Sequence, residues 1–322
     1  MKTLIASSIY PDAITRLSEQ HEVICAFGAD EEELKKCIAG CKALIFRSGV
    51  QITADVMACA PDLQLVMRAG SGIDNIDLEY VQEKQITLVR IPGPGAKAVA
   101  ELSFALMLAL ARNILTADRL TRQGRWAKHE LTGQLLNRKV LGIVGAGNIG
   151  TRVGQLGSAW DMDVLGCVEF RSPEAAARLA QYGIRLASLH DVLAKSDFVS
   201  IHLPLKENTR YLINAQNLAL MKPGAFLINL ARGGVVDEAA LYQALSDGKL
   251  AGAAVDVHEK EGEGMISPLA ELPNVILTPH IGSGAIDSQR EIGEIIIEAM
   301  DYYITQNANP ELVSERQVAL NV

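Results

Sequence analysis

Short apolar runs alternate with amphipathic stretches along most of the chain, and this alternation constrains the fold more than any other feature. The runs are rich in β-branched residues, which favour strands, and the stretches between them repeat apolar residues at helical spacing. Strands of this kind pair in parallel and are buried under helices on both faces. The predicted strands of a first series are Thr3–Ala6, Val23–Ala26, Ala43–Phe46, Gln64–Met67 and Thr87–Arg90.

A second series of strands follows a break rich in Pro and Gly at Pro92–Gly95. The apolar stretch Val99–Arg112 predicts a buried crossover helix between the two series, and the isoleucine pattern from Ile292 to Met300 predicts a helix near the end of the chain. The predicted strands of the second series are Val140–Val144, Val164–Val168, Phe198–Ile201, Ala225–Asn229, Gly252–Val255 and Val275–Thr278.

Two series of strands in 322 residues predict two domains, because a chain of this length exceeds one compact core. The predicted class is α/β, with two doubly wound parallel-sheet lobes. One lobe comprises residues 1–98 and 286–322, and the other comprises residues 99–285. Ligands of such sheets bind at the carboxyl ends of strands, so we expect the ligand between the lobes, which would hinge near Ala98 and Ala285.

Charge and cysteine content indicate which kinds of partner the protein is expected to bind. The formal net charge is −8 and the acidic residues are dispersed, so no basic surface for a nucleic acid or an anionic membrane is expected, and a small molecule is the expected partner. The five cysteines include no CxxC pair, which argues against a disulfide framework and against a metal site. The first residues predict a strand, and the apolar stretch Val99–Ala111 is too short to span a bilayer, so the expected location is the cytoplasm.

A glycine-rich segment, GAGNIG, stands directly between a predicted strand and a predicted helix. Its first glycine permits a tight turn, its second lets the backbone approach a pyrophosphate, and its third allows close helix packing, while the helix N-terminus supplies N–H groups. The segment therefore predicts a dinucleotide site, whose residues are Gly145, Gly147, Asn148, Ile149 and Gly150.

The preference for NAD or NADP depends on the end of the next strand. An acidic residue is expected there to bind the adenosine ribose, and the nearest acid is Glu169. Its charge favours NAD because it repels a 2′-phosphate. Arg171 is able to pair with that phosphate, so NADP stays open.

Three further segments follow predicted strands and carry chemically capable side chains, at the edge of the sheet where this architecture places its site. They are Ile228–Gly234, Asp256–Glu261 and Thr278–Gly282.

With these segments the sequence resembles the D-isomer-specific 2-hydroxyacid dehydrogenase family, and within it the phosphoglycerate dehydrogenases. The likeness extends over nearly the whole chain, and it implies that residues 1–98 and 286–322 form a flavodoxin-like substrate-binding domain and residues 99–285 a Rossmann dinucleotide-binding domain. Its other motifs are Arg47-Ser48, Arg68–Asn75, Val99–Glu101, the glycine-rich segment and His202–Leu205.

The resemblance implies that Arg232, Glu261 and His280 are the catalytic residues. Oxidation of a secondary alcohol needs a base for the hydroxyl proton, and histidine titrates near the working pH. Glu261 would orient His280, and Arg232 offers a fork of donors for a carboxylate and a polarised carbonyl. Glu259 is the alternative carboxylate, and the spacing in the family favours Glu261.

Further contacts are also implied by the resemblance. The additional cofactor-binding residues are His202, Pro204, Ala231, Asp256 and Gly282. Substrate contacts are expected from Arg47 and from a small-residue loop whose backbone N–H groups suit a carboxylate. That loop consists of Ser71, Gly72 and Ile73. Arg47 as a structural ion pair is the alternative. Val168 stands where an NAD-preferring Asp is usual.

The expected function is hydride transfer between a nicotinamide cofactor and a D-2-hydroxy acid, as in 3-phosphoglycerate dehydrogenase. One alternative is a glyoxylate or hydroxypyruvate reductase, and an alternative of another class is a dinucleotide-sensing scaffold similar to the corepressors that resemble this family. The resemblance implies a homodimer. The C-terminal regulatory domain of some serine-pathway enzymes is not expected, since the chain ends at Val322.

Overall fold

The computed structural model describes residues 1–308 and divides into two units, each built on one parallel sheet. Unit 1 comprises Met1–Ala96 and the chain from Ser283 onward, and unit 2 comprises Lys97–Gly282. The assignment of residues 1–98 and 286–322 to substrate and of 99–285 to cofactor stays a prediction. Residues 309–322 of that assignment lie outside the described residues.

The strands lie close to where the apolar runs predict them. In chain order they are β1 (Lys2–Ile5), β2 (Glu22–Cys25), β3 (Ala43–Phe46), β4 (Leu65–Arg68), β5 (Thr87–Arg90), β6 (Val140–Val144), β7 (Asp163–Cys167), β8 (Ile184–Leu186), β9 (Phe198–Ile201), β10 (Ala225–Asn229), β11 (Leu250–Val255) and β12 (Val275–Leu277).

Helices connect these strands. They are α1 (Pro11–Gln20), α2 (Glu31–Ile38), α3 (Ala54–Ala58), α4 (Leu78–Glu83), α5 (Gly93–Ala111), α6 (Ile114–Arg122), α7 (Asn148–Ala159), α8 (Pro173–Ala180), α9 (Leu189–Lys195), α10 (Ala215–Leu220), α11 (Glu238–Ser246) and α12 (Ile286–Ala308).

Both sheets are doubly wound, which confirms the predicted fold class. Unit 1 has the strand order β2-β1-β3-β4-β5, the flavodoxin-like arrangement. Unit 2 has the order β12-β11-β10-β9-β6-β7-β8, a Rossmann order extended by one strand. Every strand pair is parallel, so the carboxyl ends of all the strands of a sheet lie along one edge.

Residue alternation along each strand supplies a core on both faces of its sheet. In β3, Leu44 and Phe46 join one buried cluster of unit 1, whereas Ala43 and Ile45 join the other. The second of these clusters also contains residues of α12, so this late helix covers the sheet that the first residues of the chain form. The helix predicted near the end of the chain is confirmed.

Two details differ from the sequence-based expectation. Helix α5 begins at Gly93 rather than at Val99, and the predicted break lies in its first turn. Proline is compatible with a first turn because the N–H that it lacks has no intrahelical partner there. Strand β8 was not predicted, since it has only three residues and pairs with β7 alone at the edge of the sheet.

With this earlier start, α5 is 19 residues long, and by length and composition alone it is able to cross a membrane. The expectation of a stretch too short to span concerned Val99–Ala111 alone, which is six residues shorter than this helix. However, 72% of its most apolar window is buried inside the protein, which is typical of a core helix.

Helix α12 contributes two isoleucines that make a matched test of its packing. Ile296 is fully buried in the core of unit 1, whereas Ile286, at the start of the same helix, is 62% exposed. Ile296→Ala should lower the free energy of unfolding by about 2–5 kcal/mol because it leaves a cavity. Ile286→Ala should change it by less than about 0.5 kcal/mol. Urea denaturation followed by circular dichroism measures both, and equal effects would contradict the packing of α12 on this sheet.

Candidate active site

The glycine-rich segment forms the turn between β6 and α7. Gly145 has a φ of +96°, and a Cβ there would lie 2.7 Å from the carbonyl oxygen of His202. A Cβ at Gly150 would overlap the carbonyl of Gly145. These two glycines are therefore required by the fold itself.

Gly147 differs from both of these glycines. A Cβ there would meet no atom within 4 Å, and as the N-cap of α7 Gly147 provides no side-chain hydrogen bond to the helix. Asn148 is exposed and Ile149 is half-buried beside it. An open backbone at the positive end of a helix dipole fits the pyrophosphate of a dinucleotide.

His202 follows β9 and lies against this turn. Its Nε2 pairs with Ser200 Oγ at 2.8 Å, and its Nδ1 is buried without a protein partner among the described residues. Burial lowers the pKa of His202 to about 3, so the imidazole is neutral at physiological pH. A neutral ring with one unpaired polar atom is compatible with a bound cofactor. Pro204, two residues later, is exposed, and its carbonyl accepts a hydrogen bond from Thr209.

Glu169 is exposed just beyond the end of β7, where the ribose-binding acid was predicted. Its Oε1 accepts a hydrogen bond of 3.3 Å from Asn208, a residue that the sequence did not single out. Phe170 and Arg171 beside it are also exposed. The carboxylate is thus held near the carboxyl edge of the sheet with one oxygen already oriented.

The loop that carries Arg232 leaves the end of β10 and is fixed by Asn229. The amide oxygen of Asn229 accepts from the N–H of Ala231 at 3.1 Å, and its Nδ2 donates to the carbonyl of Arg232 at 3.3 Å. Arg232 Nη1 donates to the carbonyl of Ala231 at 2.7 Å. Asn229 is 2% exposed and was not predicted as a functional residue. An Asn directly after a strand is the sequence signal for such a turn.

Asp256, at the end of β11, is buried beneath the loop that carries His280. Its carboxylate accepts hydrogen bonds from Thr278 Oγ1 at 2.6 Å, from the N–H of Ile281 at 2.9 Å and from the N–H of Gly282 at 2.8 Å. The carbonyl of Asp256 accepts from the N–H of His280 at 2.8 Å. The structure therefore shows Asp256 as a support of this loop, and its predicted contact with the nicotinamide stays a prediction.

His280 has a φ of +54°, which is rare for a residue with a side chain. Such a conformation costs of order 1–3 kcal/mol and persists only where the surroundings impose it. The hydrogen bonds from the loop to Asp256 impose it here.

The His280 ring is hydrogen-bonded to Glu261. Its Nδ1 lies 2.8 Å from Glu261 Oε2, while Oε1 of the same carboxylate accepts from the N–H of His258 at 3.0 Å. Burial of Glu261 opposes ionisation, but the hydrogen bonds from His280 and His258 outweigh it and lower the pKa of the carboxyl. An ionised carboxylate only accepts hydrogen bonds, so Nδ1 of His280 carries the proton and Nε2 is left to exchange one.

Glu259, the alternative carboxylate, binds a helix N-terminus and not His280. Its Oε1 accepts from the N–H of Glu238 at the start of α11, at 3.1 Å. The structure therefore pairs His280 with Glu261. It also brings the Arg232 loop to this segment, because a Cβ at Gly233 would overlap the carbonyl of His258.

The predicted substrate residues all lie in unit 1. The Arg47 guanidinium donates to Ser283 Oγ at 3.2 Å and to the carbonyl of Ser8 at 3.4 Å, and burial lowers its pKa. No carboxylate is among these contacts, so the ion-pair alternative receives no support from them. Asn75 joins this segment to the small-residue loop by donating to the carbonyl of Arg47 at 2.9 Å.

The small-residue loop itself consists of half-buried Ser71, Gly72 and Ile73. Arg90, which the sequence did not single out, donates to the carbonyl of Ser71 at 2.7 Å. It therefore adds a second cation to the neighbourhood of this loop.

Comparison with known proteins identifies the family. The family described as D-isomer specific 2-hydroxyacid dehydrogenase, NAD binding domain, matches residues 104–282, more than half of the chain. A hydroxypyruvate reductase of Thermotoga maritima is 38% identical over 84% of this chain and 87% of its own length. The chain belongs to the D-isomer specific 2-hydroxyacid dehydrogenase family. The resemblance seen in the sequence is thus confirmed, and NAD is confirmed as the cofactor of the domain that carries the glycine turn.

Other members of the 2-hydroxyacid dehydrogenase family are similar over most of this chain. The D-3-phosphoglycerate dehydrogenase of Methanocaldococcus jannaschii is 39% identical over 92% of this chain but only 56% of its own length, so the chain spans about half of that relative. The D-lactate dehydrogenase of Aquifex aeolicus, in a crystal structure with NAD and lactic acid, has a TM-score of 0.82 and 29% identity, and 96% of each chain is covered.

The two kinds of glycine in the turn give a test of the NAD site. Gly147→Ala should leave the free energy of unfolding within about 0.5 kcal/mol of the original, because its Cβ meets nothing in the protein. It should weaken NADH binding about tenfold or more, because the backbone loses its close approach to the pyrophosphate. Gly145→Ala should instead destabilise the protein by about 1–3 kcal/mol. NADH fluorescence titration and urea denaturation separate the two effects. Unchanged NADH affinity in Gly147→Ala would exclude this turn as the pyrophosphate site.

Proposed function

We propose that this protein is a nicotinamide-dependent oxidoreductase that interconverts a D-2-hydroxy acid and its 2-keto acid, with 3-phosphoglycerate as the preferred hydroxy acid. The observation that carries the proposal is the 2.8 Å hydrogen bond between Glu261 and His280, on the loop that follows β12. The similarity to phosphoglycerate dehydrogenases over 92% of the chain supports the substrate.

His280 acts as the acid and base. With Nδ1 bound to Glu261, its Nε2 takes the hydroxyl proton during oxidation and returns it to the carbonyl oxygen during reduction. Glu261 stays ionised at neutral pH because its pKa is lowered, and it stabilises the imidazolium that forms. Bound NAD supplies the acceptor for the hydride of the substrate carbon.

Arg232 holds the substrate. Its planar guanidinium suits the carboxylate of a 2-hydroxy acid and stabilises charge on the reacting oxygen. The bond from its Nη1 to the carbonyl of Ala231 limits its rotation and keeps it in one orientation. Arg47 and the Ser71 loop of unit 1 are proposed to bind the rest of the acid.

A second candidate substrate class is glyoxylate or hydroxypyruvate. It is favoured by the Thermotoga maritima relative, which this chain covers over 87% of its length, compared with 56% for the phosphoglycerate dehydrogenase relative. Initial rates with 3-phosphohydroxypyruvate, hydroxypyruvate and glyoxylate, each with NADH and NADPH, distinguish the two candidates. A kcat/KM higher for 3-phosphohydroxypyruvate supports the first, and the reverse supports the second.

His280→Ala tests the proposed chemistry directly. The variant should lose about 10²- to 10⁴-fold in kcat, since it lacks the acid and base, while its affinity for NADH stays nearly the same. The exposed His190 provides the matched control, and His190→Ala should keep full activity. Unchanged turnover in His280→Ala would falsify the assignment.

We also propose that two copies of the chain form a homodimer through the α6 surface, defined as Ile114, Leu115, Trp126 and Leu135. None of the residues of α6 is buried, and these four side chains are 49%, 50%, 83% and 67% exposed. The four side chains lie close together in the sequence, between residues 114 and 135. Large exposed apolar side chains of this kind are typical of an interface. A location in the cytoplasm is proposed on the five free thiols, which a reducing compartment maintains.

Substitution of this surface tests the dimer. The double variant Ile114→Glu/Trp126→Glu should sediment as a monomer in analytical ultracentrifugation, whereas the original chain sediments as a dimer, because charges there oppose burial. Phe27→Glu, which changes a 47% exposed apolar residue of unit 1, should remain dimeric. A monomeric original chain, or a dimeric double variant, would refute the proposal.

A further inference from the structure

Glu238, in the first turn of α11, makes contacts that the proposed chemistry does not use. Its Oε1 accepts from the N–H of Glu259 at 2.7 Å, and its Oε2 accepts from the hydroxyl of Ser267 at 3.1 Å. In return, Glu259 Oε1 accepts from the N–H of Glu238 at 3.1 Å. Two glutamates thus exchange backbone and side-chain hydrogen bonds across 21 residues of sequence.

The start of a helix explains why carboxylates gather here. The first N–H groups of a helix have no intrahelical partners, and the helix dipole favours negative charge beside them. Asp237 caps α11 by accepting from the N–H of Ala240, and Glu259 satisfies the N–H of Glu238. The side chain of Glu238 is therefore not needed for these caps, and it turns to the neighbouring segment instead.

That segment carries Glu261. Residues 256–267 contain no helix or strand, and Gly262 and Gly264 within them have φ values of +132° and +76°. The Glu238 carboxylate holds Glu259 on one side of Glu261 and Ser267 on the other. One buried side chain thus closes the loop from which the partner of His280 projects.

The burial of Glu238 makes its carboxylate dependent on the hydrogen bonds from Glu259 and Ser267. Glu238 is 7% exposed, so its carboxylate oxygens depend on protein donors rather than on water. Loss of a donor to a buried oxygen of this kind leaves the oxygen unsatisfied, which is costly. By contrast, Glu259 and Glu261 lie toward the surface.

We propose that Glu238 is a positioning residue that, together with Glu259, fixes the loop so that Glu261 meets His280. The inference rests on the proposed function for its effect on turnover, since Glu238 acts through Glu261 and not on the substrate. A displacement of about 1 Å at a reacting group is enough to reduce turnover about a hundredfold.

The kinetic test is a double-mutant cycle. Glu238→Ala should lower kcat about 10- to 100-fold and leave NADH affinity unchanged, because the glycine turn is untouched. Glu238→Gln should restore most of the activity, since its amide oxygen still accepts from the N–H of Glu259. In a Glu261→Ala background, Glu238→Ala should lower kcat by less than about twofold further, because the group it positions is absent.

Glu174→Ala is the matched control. Glu174 also lies in the first turn of a helix of unit 2 and pairs with a serine, but it is exposed. Its variant should keep full turnover. Equal losses from Glu238→Ala in both Glu261 backgrounds, or a loss of stability with kcat intact, would overturn the inference.

The hydrogen bond between His280 and Glu261 can also be observed directly by NMR, without a measurement of turnover. The imidazole N–H proton of His280, assigned by its absence in the His280→Ala spectrum, should be seen in NMR spectra of Glu238→Gln and lost in Glu238→Ala. If His280→Ala leaves turnover unchanged while Glu238→Ala loses the N–H signal, the proposed function is rejected and the positioning role is supported. Persistence of the signal in Glu238→Ala would reject the positioning role. Should Glu238→Ala fail to fold, Glu259→Ala, at an exposed side chain, breaks the reciprocal bond and should weaken the same signal.

Discussion

Parallel pairing of buried strands is the constraint on which the candidate active site depends. In unit 2, β10, β11 and β12 are neighbours that run in the same direction, so the loops that leave their ends start from one edge. Those loops carry Arg232, Asp256 and His280. An antiparallel partner among the three strands would place one of these residues at the opposite edge of the sheet. Strand order thus brings the groups to one region before any side chain makes a contact.

Hydrogen bonds then set the orientation of His280 at two levels. Its backbone is held in a left-handed conformation by the bonds between its loop and Asp256, and its ring is held by Glu261. Because Asp256 is buried, breaking its hydrogen bonds would leave an unpaired carboxylate, which is energetically costly. The loop is therefore held rigidly. An acid and base that must act in one geometry benefits from such a support, since reorganisation is then small.

The parts of this architecture that depend on local pattern could be predicted from the sequence. The central strands and the glycine turn were predictable because burial and turn geometry each leave a local signature. Strand β8 was missed because three residues at an edge carry little pattern, and the start of α5 was missed because Pro94 is allowed in a first turn. The role of Glu238 was not predictable, since a glutamate at a helix start is ordinarily exposed and this one is buried by segments that return to it from later in the chain.

The spacing known for the family favoured Glu261 over Glu259, and the structure supplies the physical reason. Each of the two glutamates has its own backbone partner, and only Glu261 reaches the imidazole. Spacing alone contains no information on which carboxylate a helix start will bind. The resemblance therefore indicated which glutamate pairs with His280, and the hydrogen bonds explain why the other does not.

The discontinuity of unit 1 has a consequence for how the protein is made. Its strands leave the ribosome first, but α12, which covers one face of their sheet, is synthesised after all of unit 2. During translation the apolar residues of that face, among them Ile5 and Ile45, lack this cover while unit 2, a continuous stretch, is able to fold. Unit 2 is therefore complete before unit 1, and one apolar face of the unit 1 sheet stays without its cover until α12 has been synthesised.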